Sequence, residues 1–136
     1  MKHSRQHAIR WIREAEDTLR LAERDFQLGD AYNLVCFLAE QVSQKALKAV
    51  RYLDGARFIT IHSVSELIGQ VAQTRPEFLP LREEGGVLDQ YYLTTRYPDT
   101  VAEPAIPSEI FTKKQAEEAL RTARTIFEMC RSLISP

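Results

Sequence analysis

The chain has 136 residues, with 18 Lys and Arg against 19 Asp and Glu and a formal net charge of −1, so it is long enough to bury one core unaided and too evenly charged to argue for a polyanionic or acidic partner from bulk charge. Only Cys36 and Cys130 occur, far apart and both inside apolar patterns, which points to reduced, buried thiols and a cytoplasmic setting, not a disulfide framework. A polar N-terminus and the lack of any run of eighteen apolar residues argue against secretion and against a membrane span.

The pattern is helical throughout, and a single all-α domain over residues 1–136 is expected, as an up-and-down bundle of about five helices. Ala8, Ile12, Ala15, Leu19, Ala22 and Phe26 recur in steps of four and three, predicting a first helix over 5–28 that Gly29-Asp30 ends. Asp30 is the expected cap of a second helix over 31–53, with Leu34, Val35, Leu38, Val42, Ala46, Ala49 and Leu53 apolar and Asp54-Gly55 as its stop. The same helix carries a polar stripe, Gln41, Lys45, Lys48 and Tyr52, which is either solvated surface or a binding face. Ser63 to Glu66 has capping-box spacing and predicts a third helix over 63–74. Phe78, Leu81, Leu88 and Tyr92 predict a fourth over 77–95, weakened or kinked at Gly85-Gly86, where another backbone can come close. Three prolines make Tyr97 to Phe111 an irregular connection, and Thr112 to Gln115 opens a last helix over 112–134.

Chemistry is sparse. No glycine has the neighbours of a phosphate-binding loop. His3 and His7 form an i,i+4 pair near the terminus, but His62 stands apart from both, so no metal centre and no cofactor is expected. The densest feature is Tyr91-Tyr92-Leu93-Thr94-Thr95-Arg96-Tyr97-Pro98-Asp99, where Pro98 stops a helix and leaves Arg96 among tyrosines. A guanidinium held there either grips a phosphate or carboxylate, or simply caps its own helix. His62 has a structural reading beside the Ser63 cap. It also has a chemical one, since Arg57 five residues earlier would supply a cation to a histidine acid or base in phosphodiester cleavage.

Three blocks, Phe37-Leu38-Ala39-Glu40-Gln41-Val42-Ser43-Gln44-Lys45-Ala46-Leu47-Lys48-Ala49, His62-Ser63-Val64-Ser65-Glu66-Leu67 and Thr95-Arg96-Tyr97-Pro98-Asp99, resemble in order and spacing the signature blocks of HEPN domains. The resemblance implies a helical bundle, usually a homodimer. It also implies pairing with a minimal nucleotidyltransferase in a toxin–antitoxin system, or binding of nucleotides or metal-independent cleavage of RNA. The family's polar positions fall on Gln41, Lys45, Lys48, His62, Arg96, Tyr97 and Asp99. Two departures stand out: Gln44 replaces a frequent glutamate, and no histidine follows Arg96 at the four-to-six spacing that ribonuclease members share.

The expected function is therefore binding of a nucleotide, an RNA or a nucleotidyltransferase partner, through a site where Lys45, Lys48, His62 and Arg96 converge and without strong catalysis. The alternatives are a metal-independent endoribonuclease using Arg57 or Arg96 with His62, and a purely structural interaction module. A homodimer is expected on the further ground that Trp11, Phe37, Tyr91 and Tyr92 do not all fit inward stripes.

Overall fold

The computed structural model describes residues 2–134, and every element among them is helical. Two long helices, α1 (Lys2–Leu28) and α2 (Tyr32–Leu53), lead into a short α3 (Val64–Val71). A 3-10 turn (Pro76–Leu81) runs into α4 (Arg82–Asp89), followed by one-turn α5 (Tyr91–Thr94) and a second 3-10 turn (Pro98–Thr100). One-turn α6 (Pro107–Ile110) then precedes the long α7 (Lys113–Ile134).

The core is set by α2, which packs on both α1 and α7. Alanines recur at these contacts, with Ala8, Ala15 and Ala22 on α1, Ala39, Ala46 and Ala49 on α2, and Ala116, Ala119 and Ala123 on α7, all buried. Small side chains at the crossing points let helix axes approach closely, and larger ones such as Leu47, Leu120 and Ile126 fill the space between. Cys36 and Cys130 are both buried free thiols, and burial pushes the Cys36 pKa up to about 12.

The α1–α2 turn departs from expectation. Asp30 does not cap α2; Ala31 does so in the left-handed region, at φ 52°, with no side-chain hydrogen bond. Gly29, at φ 79°, takes the preceding left-handed position, so two reversed residues make a tight corner that a side-chain cap would have left longer. At the other end of α2, Gly55 (φ 102°) supports the paired bonds Ala56 N–H to Arg51 O and Gly55 N–H to Tyr52 O, at 3.0 and 3.1 Å, that close the last turn.

The expected fourth helix is three pieces. Pro80 lies inside its first part, which winds as a 3-10 turn, and between α4 and α5 Gln90 keeps right-handed helical angles while its N–H bonds Val87 O at 3.1 Å in a tightened turn. The glycine pair lies inside α4 and does not interrupt it. Gly85 does allow a close approach: a Cβ there would lie 2.7 Å from Ile68 Cδ1 and 3.1 Å from Val64 Cγ1. The connection after Tyr97 is not wholly irregular, since prolines at the first position of each start the Pro98–Thr100 turn and α6. The capping box of α7 forms as expected, with Thr112 Oγ1 accepting from Gln115 N–H at 3.1 Å and Gln115 Oε1 accepting from Thr112 N–H at 2.9 Å.

Candidate functional site

Thr95 fixes the end of α5 by being wholly buried. Its hydroxyl donates to Tyr91 O at 2.6 Å, and its carbonyl accepts from Asn33 Nδ2 on α2 at 2.9 Å. The next residue, Arg96, is thereby held against the N-terminal part of α2. Its guanidinium lies 4.2 Å from the Phe37 ring centre, 5.0 Å from Tyr92 and 5.1 Å from Tyr97. Nε and Nη2 both donate to Tyr92 O, at 3.0 and 2.6 Å. Arg96 is thus the cap of its own helix and a cation on three aromatic faces at once, the two readings left open by sequence. Among the described residues its Nη1 makes no hydrogen bond.

His62 joins this group through Tyr92: the two rings stack at 6.0 Å with planes 11° apart, and the imidazole is exposed. Its backbone position is set from across the bundle. Asp89, the last residue of α4, accepts from Val64 N–H at 2.6 Å, Ser65 N–H at 3.1 Å and the Ser63 hydroxyl at 2.8 Å. Ser63 Oγ in turn accepts from Glu66 N–H at 3.1 Å. A carboxylate at a helix N-terminus meets both orphan donors and the positive end of the dipole. The structural role expected of His62 beside this cap belongs to Asp89.

Beneath the cluster lies Glu40, completely buried on α2. Its carboxylate accepts from Gln41 Nε2 at 2.8 Å and from Gln44 Nε2. Burial raises its pKa to about 7, opposed by those two amides; the Asp89 charge adds to the rise and the Arg96 charge opposes it. Gln44, the departure noted above, donates to Glu40 where a carboxylate would repel it.

Further along α2 the polar stripe turns toward α1. Lys45 Nζ donates to Glu14 Oε2 at 3.1 Å and to Thr18 Oγ1 at 2.9 Å. Lys48 is buried, with its ammonium 5.7 Å from the Trp11 ring centre, and burial lowers its pKa while the Glu40 charge opposes the fall. Tyr52 packs on Trp11 and on His7, whose Nε2 accepts from Trp11 Nε1 at 3.3 Å. His7 is thus part of an aromatic cluster. Lys45 stands two turns beyond Phe37, about 12 Å of helix rise. Lys45, Lys48, His62 and Arg96, expected to converge, are instead spread along a band of α2: Arg96 and His62 meet at Tyr92 at one end, and the lysines lie further along against α1.

The remaining predicted positions lie outside that band. Asp99 is exposed in the 3-10 turn, and Tyr97 is half exposed against Arg96. Arg57 lines a groove with His7, Arg10 and Tyr52, whereas His62 stacks on Tyr92. Sequence reasoning missed Phe37, Glu40, Asp89 and Asn33. The signal for Glu40 was a lone acid on the inward side of an otherwise apolar turn; Asp89 and Asn33 act across the bundle and leave no local mark.

A family model described as HEPN domain matches residues 8–133. The chain is 27% identical over 137 residues to the Methanocaldococcus jannaschii protein named "Putative toxin MJ1304", an alignment covering 95% of this chain and 89% of that one. The crystal structure of TT1696 from Thermus thermophilus superposes with a TM-score of 0.82 at 34% identity, over 92% of this chain and 96% of that one. That of ST0689, described as an archaeal HEPN homologue, gives 0.75 at 30% identity, over 94% and 98%.

Proposed function

The chain belongs to the HEPN domain family, and from that premise we propose that it is a toxin–antitoxin-type component whose Arg96 cluster binds the phosphate of a nucleotide or RNA. The observation that carries this reading is the posture of Arg96. A guanidinium half-buried on three aromatic rings has lost part of its hydration, and its Nη1 keeps two donors for a phosphate oxygen. Exposed His62, stacked on Tyr92, offers a second donor, and Tyr97 offers a ring on which a base can stack. The relative named as a toxin supports the toxin–antitoxin setting.

The partner that fits this reading is a minimal nucleotidyltransferase, and the working state is a homodimer. An exposed apolar group supports an interface beside the site: Leu34 and Ile106 share a shallow depression with Arg96 and Pro98, and Leu93, Tyr97 and Ile110 are exposed as well. Trp11 and Tyr91, which suggested an interface by sequence, are instead packed into the bundle.

Calorimetric titration of the isolated protein with a dinucleotide tests the proposal. Arg96→Ala is expected to lower affinity at least about tenfold, with Arg96→Lys recovering little because an ammonium lacks the planar fork. Stability should fall by about 1 kcal/mol through the lost cap and ring contacts. Equal binding by wild type and Arg96→Ala would refute the assignment. Incubation of labelled RNA without metal separates binding from cleavage: turnover that His62→Ala abolishes would establish the endoribonuclease reading instead.

A further inference from the structure

Charge is distributed unevenly along α1. No Asp or Glu precedes Glu14, whereas His3, Arg5, His7, Arg10 and Arg13 all do, in a chain whose net charge is −1. This end of α1 packs beside the C-terminal end of α2, where two adjoining open grooves of about 610 and about 420 Å³ share His7 and Arg10 as walls. The acids of the larger groove are already matched: Glu14 accepts from Lys45 at 3.1 Å, and Asp17 pairs with Arg20. By contrast Arg10, Arg13 and Arg57 are exposed and make no ion pair among the described residues. Three unmatched guanidinium groups therefore line one continuous concave strip.

α2 links the strip to the Arg96 cluster, with Lys48 and Tyr52 buried against α1 along the way. Phe37, Gln41, Lys45, Lys48 and Tyr52 follow one another at helical spacing along α2; Phe37 carries Arg96, and Tyr52 lines the groove that holds Arg57. From Phe37 to Tyr52 is about 22 Å of helix rise. A stacked single strand covers that span with about six nucleotides at about 3.4 Å each.

We propose that the Arg10–Arg13–Arg57 groove is a second phosphate-binding surface, so that the protein face between it and Arg96 is a track for single-stranded RNA of at least about six nucleotides, not a mononucleotide pocket. This extends the Arg96 reading and rests on it for one end of the track only. The arginines act through the backbone charge of the strand, so binding is independent of base sequence and strongly salt-dependent.

The test compares a labelled oligouridine of about twelve nucleotides, followed by fluorescence anisotropy in chelator, with the dinucleotide UpU. Arg10→Ser, Arg13→Ser and Arg57→Ser are combined in one variant; these exposed side chains make no ion pair, and an unchanged melting temperature verifies the fold. The long RNA is expected to lose at least about tenfold in affinity, with the slope of log K against log salt shallower by about two, while UpU titration is unchanged. Unaltered affinity and salt slope for the long RNA would overturn the proposal, as would binding of the wild type to phosphatidylserine vesicles without binding of the long RNA. Failure of the Arg96 reading has a separate signature: UpU then fails to bind, while the long RNA still binds and still depends on the three arginines.

Discussion

Glu40→Gln separates the electrostatics of the buried carboxyl from its shape. Glu40 is wholly buried and its pKa is raised from 4.5 to about 7, chiefly by desolvation. Below about pH 4.5 the acid is neutral in folded and unfolded chains alike. Between about 4.5 and 7 only the unfolded chain releases the proton, so stability falls as pH rises, and above about 7 the loss is complete. The span from 4.5 to about 7, at about 1.4 kcal/mol per pH unit, is a loss of about 3 kcal/mol. Glutamine keeps the volume and cannot titrate, but its amide must turn one N–H toward Gln41 or Gln44, both of which donate to Glu40, and the lost bond costs about 1 kcal/mol at every pH. The variant should be less stable than wild type by about 1 kcal/mol at pH 4 and more stable by about 2 kcal/mol at pH 8, with the order reversing near about pH 5. Urea unfolding followed by circular dichroism across this range measures both curves. Parallel curves, with a constant difference from pH 4 to 8, would refute the assignment of a raised pKa to this carboxyl.

Gly85→Ala is expected to destabilise by about 1–2 kcal/mol, because its Cβ meets fully buried Ile68 and Val64; Gly86→Ala, whose Cβ meets nothing within 4 Å, should gain up to about 1 kcal/mol of helix propensity, and equal unfolding midpoints for the two would contradict this. Asp89→Ala removes three hydrogen bonds from the start of α3 and should cost about 2 kcal/mol while shifting the His62 ring resonances as its stacking on Tyr92 loosens; a loss below about 0.5 kcal/mol would show that water replaces the carboxylate. Light scattering at micromolar concentration should give twice the 15.6 kDa chain mass, and the mass of one chain would remove the homodimer from the proposed function.

The long helices are legible in the sequence because their signals are local and periodic. Of the expected stripe Ala8, Ile12, Ala15, Leu19, Ala22 and Phe26, the first five are buried and Phe26 is half-buried, and the Thr112 box opens α7 at the expected place. The fourth helix reads as continuous because apolar periodicity survives a 3-10 turn and a tightened turn at Gln90; Pro80 is the one local warning. Arg96 is legible as a held cation because Pro98 and the tyrosines are its chain neighbours. Its third ring, Phe37, comes from α2 and is not. Asp89 caps a helix about two dozen residues before it, and nothing in its own neighbourhood distinguishes it from a surface acid.

The contacts of Asp89 and Gly85 with the first turn of α3 bear on how this protein can change over evolutionary time. One turn apart on α4, these two residues fix where α3 begins, so the place of His62 depends on a neighbouring helix and only weakly on the loop that delivers it. Residues 55–58 of that loop carry no regular element, and Phe58 at its far point is 84% exposed. Doubling such a loop costs only about 0.6 kcal/mol of closure entropy. Insertions there should be tolerated with the His62–Tyr92 stack intact, which leaves this loop free to diversify among relatives without disturbing the residues at the Arg96 end of the band.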